Sequence, residues 1–545
     1  MFIYTQRKKS RGQQRSAGEK IQYFAGILLD YGVQVYLICM LLLFPLYFQD
    51  GYAHIGTDKA VFFIRAGVTA AKVLAAPTVL YLAAGLMVFL KQKKRKLWEP
   101  DTLKRWFSAA DLFALLYGAA LVVSYGCSNY REGALWGAEG WYMGLLPQLL
   151  LLMAYFLVSR FWKPRKWVPG LMLGVSAAVF LFGCINRFGI YPVEMAFSGP
   201  EFISTVGNIN WYCGYAVSVF FFGVVMFWLQ REQKTWQKML LMGYLLIGFT
   251  SLVIQGSQSG LMTLAVVLLV LFRMSAEDPA RMGAFWQGMA LLWGGCLIIS
   301  VVRRLAPEKM TYTDGLIDRL TLGWIPVVMM AVSVLVLLLL WRDGHRGVRR
   351  DRLFRLLTGM AVWGSLGVLL LGLLLAVLNT LRPGILGPLS ELGVFTLDEN
   401  WGSARGATWA AGVRCFAEQD LLHKLVGVGP DCMPEFIYKG ASLGLAEFVE
   451  RMFYYRLTNA HNEWLTVLVD TGLLGLAGFG GMMVCGIRGL IKKGCGNPYA
   501  IACGFCLLGY TVNNSFSFQQ LLSTGTVFVV FGMGEAFRRR GDAES

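Results

Sequence analysis

Apolar positions in this chain come in unbroken runs, without the alternation of a half-buried strand or the three-to-four spacing of an amphipathic helix. Leu261–Leu271 and Val327–Trp341 are examples, and runs of this length and continuity select helices over strands. About 20 apolar residues in a helix cross the roughly 30 Å of hydrocarbon in a bilayer. Lipid cannot bond exposed backbone groups, so only helices or closed barrels span it. The pattern predicts fourteen spans, at about 25–48, 67–90, 108–126, 141–160, 167–186, 210–230, 238–255, 258–273, 284–302, 322–341, 356–378, 463–487, 498–516 and 520–537. The fold class that follows is all-α, a polytopic protein of the cell membrane.

Composition sharpens this. The chain is 56% hydrophobic and only 15% charged, against about 25% charged in a soluble domain. Of its 50 lysines and arginines, 34 fall in alternate connections. These hold Lys8-Lys9, Lys93 to Lys96, Arg160 to Lys166, Arg231 to Lys238, Arg273 with Arg281, Arg342 to Arg355, Arg488 with Lys492-Lys493, and Arg538 to Arg540. The positive-inside rule puts that side in the cytoplasm, which makes both termini cytoplasmic. The net charge of +17 is then an orientation signal with anionic lipid of the bilayer as its partner, and no nucleic acid is required. The first apolar stretch is too long for a signal-peptide core and is expected to remain as an anchor.

One long polar segment interrupts the spans, from Leu381 to Asn462 on the external side. Its periodicity predicts helices at about 403–418 and 443–457. In the first, Arg405 and Trp409 share a face with Val413 and Phe416; in the second, Leu445, Val449, Met452 and Tyr455 form a surface suited to the membrane interface. Cys415 and Cys432 share the segment and could form a disulfide, whereas Cys503 and Cys506 lie inside an apolar span and suit packing better than zinc. The cytoplasmic connections are short, and the chain has no P-loop or dinucleotide fingerprint, so no cofactor is expected. Asp398, Glu399 and Asp431 are too dispersed to argue a metal.

Four histidines are available. His54 and His345 read as solvated and His423 as a packing or surface residue, while His461 stands where the long segment enters the next span. A neutral imidazole there can accept a proton. Arg405 suits bidentate contact with a phosphate, and the glycines of Gly427-Val428-Gly429-Pro430-Asp431 permit close backbone approach.

Taken in order, four pieces resemble the O-antigen ligase and O-antigen polymerase family. They are Gly207-Asn208-Ile209-Asn210 with Gly214-Tyr215; Gln255-Gly256-Ser257-Gln258-Ser259-Gly260; Arg405-x-x-x-Trp409 with the Gly427 run; and His461-Asn462 with Gly472-Leu473-Leu474-Gly475. The resemblance spans about residues 207–479. It implies a GT-C-like architecture and a metal-independent, inverting glycosyltransferase that moves a glycan from a polyprenyl-diphosphate carrier to a hydroxyl acceptor. His461 would be the general base and Arg405 the diphosphate ligand, with Asn208, Asn210, Ser257, Gln258, Trp409, Gly427, Gly429 and Asn462 binding substrate. Two positions depart from the family pattern. Gln258 stands where an arginine is usual, leaving Arg303, Arg304 or Arg319 as substitute cations, and Asp470 stands where glutamate is common. The alternative is a transporter or flippase of lipid-linked saccharide, for which Lys72 and Asp470 are the intramembrane candidates.

Overall fold

The computed structural model describes residues 16–91, 107–195, 199–229, 234–348, 350–453, 455–492 and 496–544. The basic residues Arg7 to Arg15, Lys93 to Lys96, Arg231, Arg349 and Lys493, and also Cys495, lie outside them. Helices occupy each of the fourteen apolar stretches. The first five are Ala17–Leu46 (α1), Ile55–Leu90 (α2), Ala109–Cys127 (α3), Leu145–Phe161 (α4) and Trp167–Asn186 (α5). Then come Ile209–Trp228 (α6), Thr235–Ile254 (α7), Gln258–Ser275 (α8), Pro279–Leu305 (α9), Ile325–His345 (α10) and Asp351–Leu381 (α11). The long polar segment holds Trp401–Glu418 (α12), Leu421–Val426 (α13), Met433–Lys439 (α14) and Leu443–Met452 (α15). Glu463–Ile491 (α16), Pro498–Asn513 (α17) and Leu521–Glu544 (α18) complete the chain.

Eleven of the described helices are long and apolar enough to cross a membrane, and α4, α17 and α18 are not among them. They make a polytopic, bilayer-embedded bundle. α6 is its axis: 89% of its most apolar stretch is buried, against 11% for α10 and 6% for α11, which stand at the periphery with apolar side chains outward. α3 packs on α16, α1 on α2, α6 on α17 and α4 on α18. The only described strands, Phe202–Ile203 (β1) and Gly207–Asn208 (β2), form a small antiparallel ribbon that leads into α6.

The long segment has a hydrophobic core of its own, built from Ala407, Ala411, Val428, Met433, Phe436, Ile437, Leu445, Phe448 and Val449. This corrects two expectations. The apolar stripe of α15 turns Leu445 and Val449 inward, to this core, while Tyr455 alone stays exposed. Cys415 and Cys432 are both buried there as free thiols, packed as small apolar side chains without a disulfide.

α16 brings this subdomain against the bundle. Its regular turns break at Gly472, which has φ +67°, and a Cβ there would collide with the backbone of Leu425 and Gly427. Gly427, at φ +80°, meets the backbone of Asp470 in the same crossing. Val428 and Gly429 donate to the carbonyls of Val469 and Asp470 at 3.2 and 3.0 Å. Only two glycines let these chains touch this closely.

Candidate active site

The irregular start of α12 positions Arg405. Gly402 and Ala404 have left-handed backbones, and Ala407 N–H reaches back to the Glu399 carbonyl at 2.9 Å. Arg405 is half-buried, donating from Nε to the Phe516 carbonyl (3.1 Å) and from Nη1 to the Gly402 carbonyl (2.8 Å). Its second terminal nitrogen has no partner among the described residues. Burial pulls its pKa below the usual guanidinium value, without removing the charge at neutral pH.

Arg405 lines a cavity of about 540 Å³ together with Gln258, Ser259, Asp398, Asn400, Trp401 and Phe516. Arg405 and Gln258 therefore border the same cavity, although they lie far apart in sequence. Gln258 opens α8 with an exposed side chain. The turn before it is tightly held: Gln255 bonds both the N–H and the carbonyl of Ser257, at 2.7 and 2.6 Å. Ser257 Oγ donates to Asn210 Oδ1 at 2.8 Å, and Asn208 caps α6 by accepting from the Asn210 N–H. Asn208, Asn210 and Ser257 thus fix the turn that presents Gln258, and none of the three lines the cavity.

His461 is part of the same end of the molecule. Its ring meets Phe518 edge-on at 5.0 Å, and its backbone N–H donates to Asn459 Oδ1 at 3.0 Å. The backbone is left-handed, φ +48°, a conformation that non-glycine residues hold only when their surroundings impose it. Burial chiefly, and with it the positive charge of Arg405, lower the imidazole to a pKa of about 4. The imidazole and the guanidinium are thus close enough to feel each other, and His461 is neutral at pH 7.

Other expected residues serve the scaffold. Asn462 caps α16, accepting from the Leu465 N–H at 3.1 Å. Trp409 lies between Trp401 and Phe516, with ring centroids 5.6 and 6.3 Å away, and it is Trp401 that lines the cavity. Gly427 faces the α16 backbone and Gly429 faces Ser128 and Cys432, and neither lines the cavity. Arg303 is buried and bonded to Thr321 and Asp318, each at 2.7 Å. Arg304 and Arg319 are exposed, and none of the three arginines lines the cavity. The substitute cation expected of them is not among the described residues that line the cavity, and Arg303 is held instead by the short helix Gly315–Thr321.

Sequence reading missed several participants. Arg187 is 1% exposed and braces the α7–α8 turn through the carbonyls of Ile254 (3.0 Å) and Gln255. Glu463 is buried and accepts from Tyr510 (3.0 Å) and Asn514, while its N–H bonds the Asn514 carbonyl. Asn513-Asn514 at the end of an apolar run was the available signal, since polar amides near lipid demand partners. Beside Phe518 lies a closed chamber of about 20 Å³ lined by Asp431, Glu463, Asp470, Tyr117 and Gln519. Burial raises Asp431 to a pKa of about 7, although the Ala138 and Met143 amides, at 2.8 and 3.1 Å, oppose the rise.

No family model matches this chain, and no curated protein matches it.

Proposed function

We propose that this protein is a glycosyltransferase of the O-antigen ligase and polymerase type, with fourteen membrane crossings, a GT-C-like arrangement and both termini in the cytoplasm. It transfers a glycan from a polyprenyl diphosphate to a hydroxyl acceptor at the outer face of the cell membrane. One observation carries the reading. A guanidinium with donor capacity to spare lines an open cavity, and the imidazole of His461, whose pKa burial and this charge both depress, lies within its electrostatic reach.

In this scheme the donor diphosphate lies against Arg405 and Gln258. His461 takes the proton of the acceptor hydroxyl as its oxygen attacks the anomeric carbon. The bond from that carbon to the diphosphate breaks, and configuration inverts. Negative charge grows on the departing phosphate, so a fixed cation stabilises the transition state more than the ground state. The same contact governs the base. An anion beside Arg405 offsets the charge that holds His461 down, so the imidazole becomes more basic when donor is bound.

The test is carrier release by purified protein given polyprenyl-diphosphate glycan, with and without hydroxyl acceptors, in the absence of nucleotide. Wild type is expected to release the carrier. His461→Asn retains a residue that tolerates the left-handed backbone and should lower the rate by about 10² to 10⁴; an unchanged rate ends the assignment. Glu463 and Asp470, buried in α16, favour the second reading, a transporter of lipid-linked saccharide. Movement of the lipid between leaflets with no carrier release would select it.

A further inference from the structure

A second groove lies between α1 and α2, with a volume of about 490 Å³. Its chemistry is graded. Gly32, Val35, Val73 and Leu74 make one end apolar, while Arg65, Thr69 and Tyr47 are the polar groups. α2 carries cations at 59, 65 and 72, and they are not equivalent. Lys59 is buried and donates to the Phe44 and Pro45 carbonyls at 2.7 and 2.9 Å. Arg65 and Lys72 are exposed, two turns apart on one face, and neither has a partner among the described residues. An unpaired arginine on a membrane helix, next to an apolar trough, is costly unless an anion or the headgroup layer meets it. Tyr36, 4% exposed, also lines this groove, and its hydroxyl has no partner among the described residues.

The Arg65 end of the groove is the one nearer the start of α2, and that start lies at the same end of the bundle as His461. Ile55, which begins α2, touches Gly207; Trp211 stacks edge-on with Trp141, and Trp141 with Phe518, against which His461 packs. Arg65 lies ten residues further along α2, about 15 Å deeper by helical rise. This offset matters chemically. In the donor, the phosphate is bonded to the carbon that reacts, so its cation must be next to the base, as Arg405 is. In an acceptor that is itself lipid-linked, the attacking hydroxyl is separated from the phosphate by intervening sugars, so its cation must stand apart.

We propose that the α1–α2 groove is a second lipid-phosphate site, which holds the polyprenyl-phosphate end of a lipid-linked acceptor by Arg65. The assignment of that lipid as acceptor rests on the transferase reading; the binding site itself does not. Full-length His461→Asn/Arg405→Ala protein in neutral-lipid nanodiscs is titrated with polyprenyl monophosphate, and retained lipid is measured by native mass spectrometry. Adding Arg65→Gln should weaken retention about tenfold, as should Val73→Trp, which fills the trough from an exposed position. Retention unchanged in both variants overturns the site. Equal, Arg65-dependent retention of phosphatidylglycerol overturns its assignment to the polyprenyl lipid and leaves an anionic-lipid surface. In the active protein, Arg65→Gln should raise KM for a lipid-linked acceptor about tenfold and leave KM for the donor unchanged. If wild type releases no carrier, the transferase reading fails, while the binding result stands or falls by itself.

Discussion

Two polar regions lie beside His461, and their charges are in opposite condition. The cavity of Arg405 and Gln258 is open, about 540 Å³, and its cation is only partly bonded. The chamber behind Phe518 is closed, about 20 Å³, and its carboxylates are held by the protein. Asp431 accepts two backbone amides, Asp470 accepts the Met433 N–H at 2.8 Å, and Glu463 is bonded by Tyr510 and Asn514. Buried polar groups with their partners in place define a scaffold, whereas accessible donor capacity in an open cavity is what a ligand recruits. Three carboxylates together look more like a reaction centre than one arginine does, and the bonding reverses that impression.

The largest effect that sharpens this contrast is expected at Arg405. Arg405→Ala should lower transfer by a factor of about 10² to 10³, or about 3–4 kcal/mol of transition-state stabilisation, with insertion and melting unchanged. A fall in folded protein equal to the fall in activity would make Arg405 a scaffold residue after all. On the closed side, Gly427→Ala should act on folding. The left-handed backbone and the collision with Asp470 together cost about 2–4 kcal/mol, visible as an earlier thermal transition of the detergent-purified protein. A variant as stable as wild type would mean that the crossing of the Gly427 run and α16 gives way easily.

The sequence exposed these regions unevenly. Hydropathy located the helices because a bilayer imposes the same demand on every span, and the periodicity around Arg405 and Leu445 located α12 and α15. Contacts across the bundle were another matter. Nothing local indicates that Gln258 shares a cavity with Arg405, or that Phe516 and Trp401 complete its wall. Gly427 and Gly429 announced a close backbone approach but not its object, which is α16. Arg303 was offered as a spare cation because a sequence shows charge without showing Asp318 beside it. For the chamber, Asn513-Asn514 and Glu463 were visible as polar residues bordering apolar runs, but their mutual bonding belongs to tertiary packing.

Titration opposes the two regions directly. His461 is lowered from its ordinary value to about 4, so between pH 4 and 6.5 the unfolded chain binds more protons there and stability rises with pH. Asp431 is raised to about 7, so between about pH 4 and 7 the folded chain binds more protons and stability falls with pH. Each slope is at most about 1.4 kcal/mol per pH unit, and in wild type they oppose one another. Thermal denaturation across pH 4.5–6.5 should therefore steepen upward in Asp431→Asn and turn downward in His461→Asn. Parallel profiles in all three proteins would remove the distinction between the two environments.

The smallest effect is the most discriminating for the open cavity. Gln258→Arg adds a cation to a rim that already holds Arg405. If the cavity receives a diphosphate, the two guanidiniums share its charge when donor is bound, and carrier release should be unchanged or rise a few-fold, a change below about 1 kcal/mol. In the empty protein the second positive charge lowers the His461 pKa further, so activity should gain more at saturating donor than at low donor. Gln258 is exposed and fills no core position, so the substitution reads out on transfer and not on folding. A well-folded Gln258→Arg protein with no transfer at any donor concentration would place the diphosphate elsewhere, and Arg405 with it.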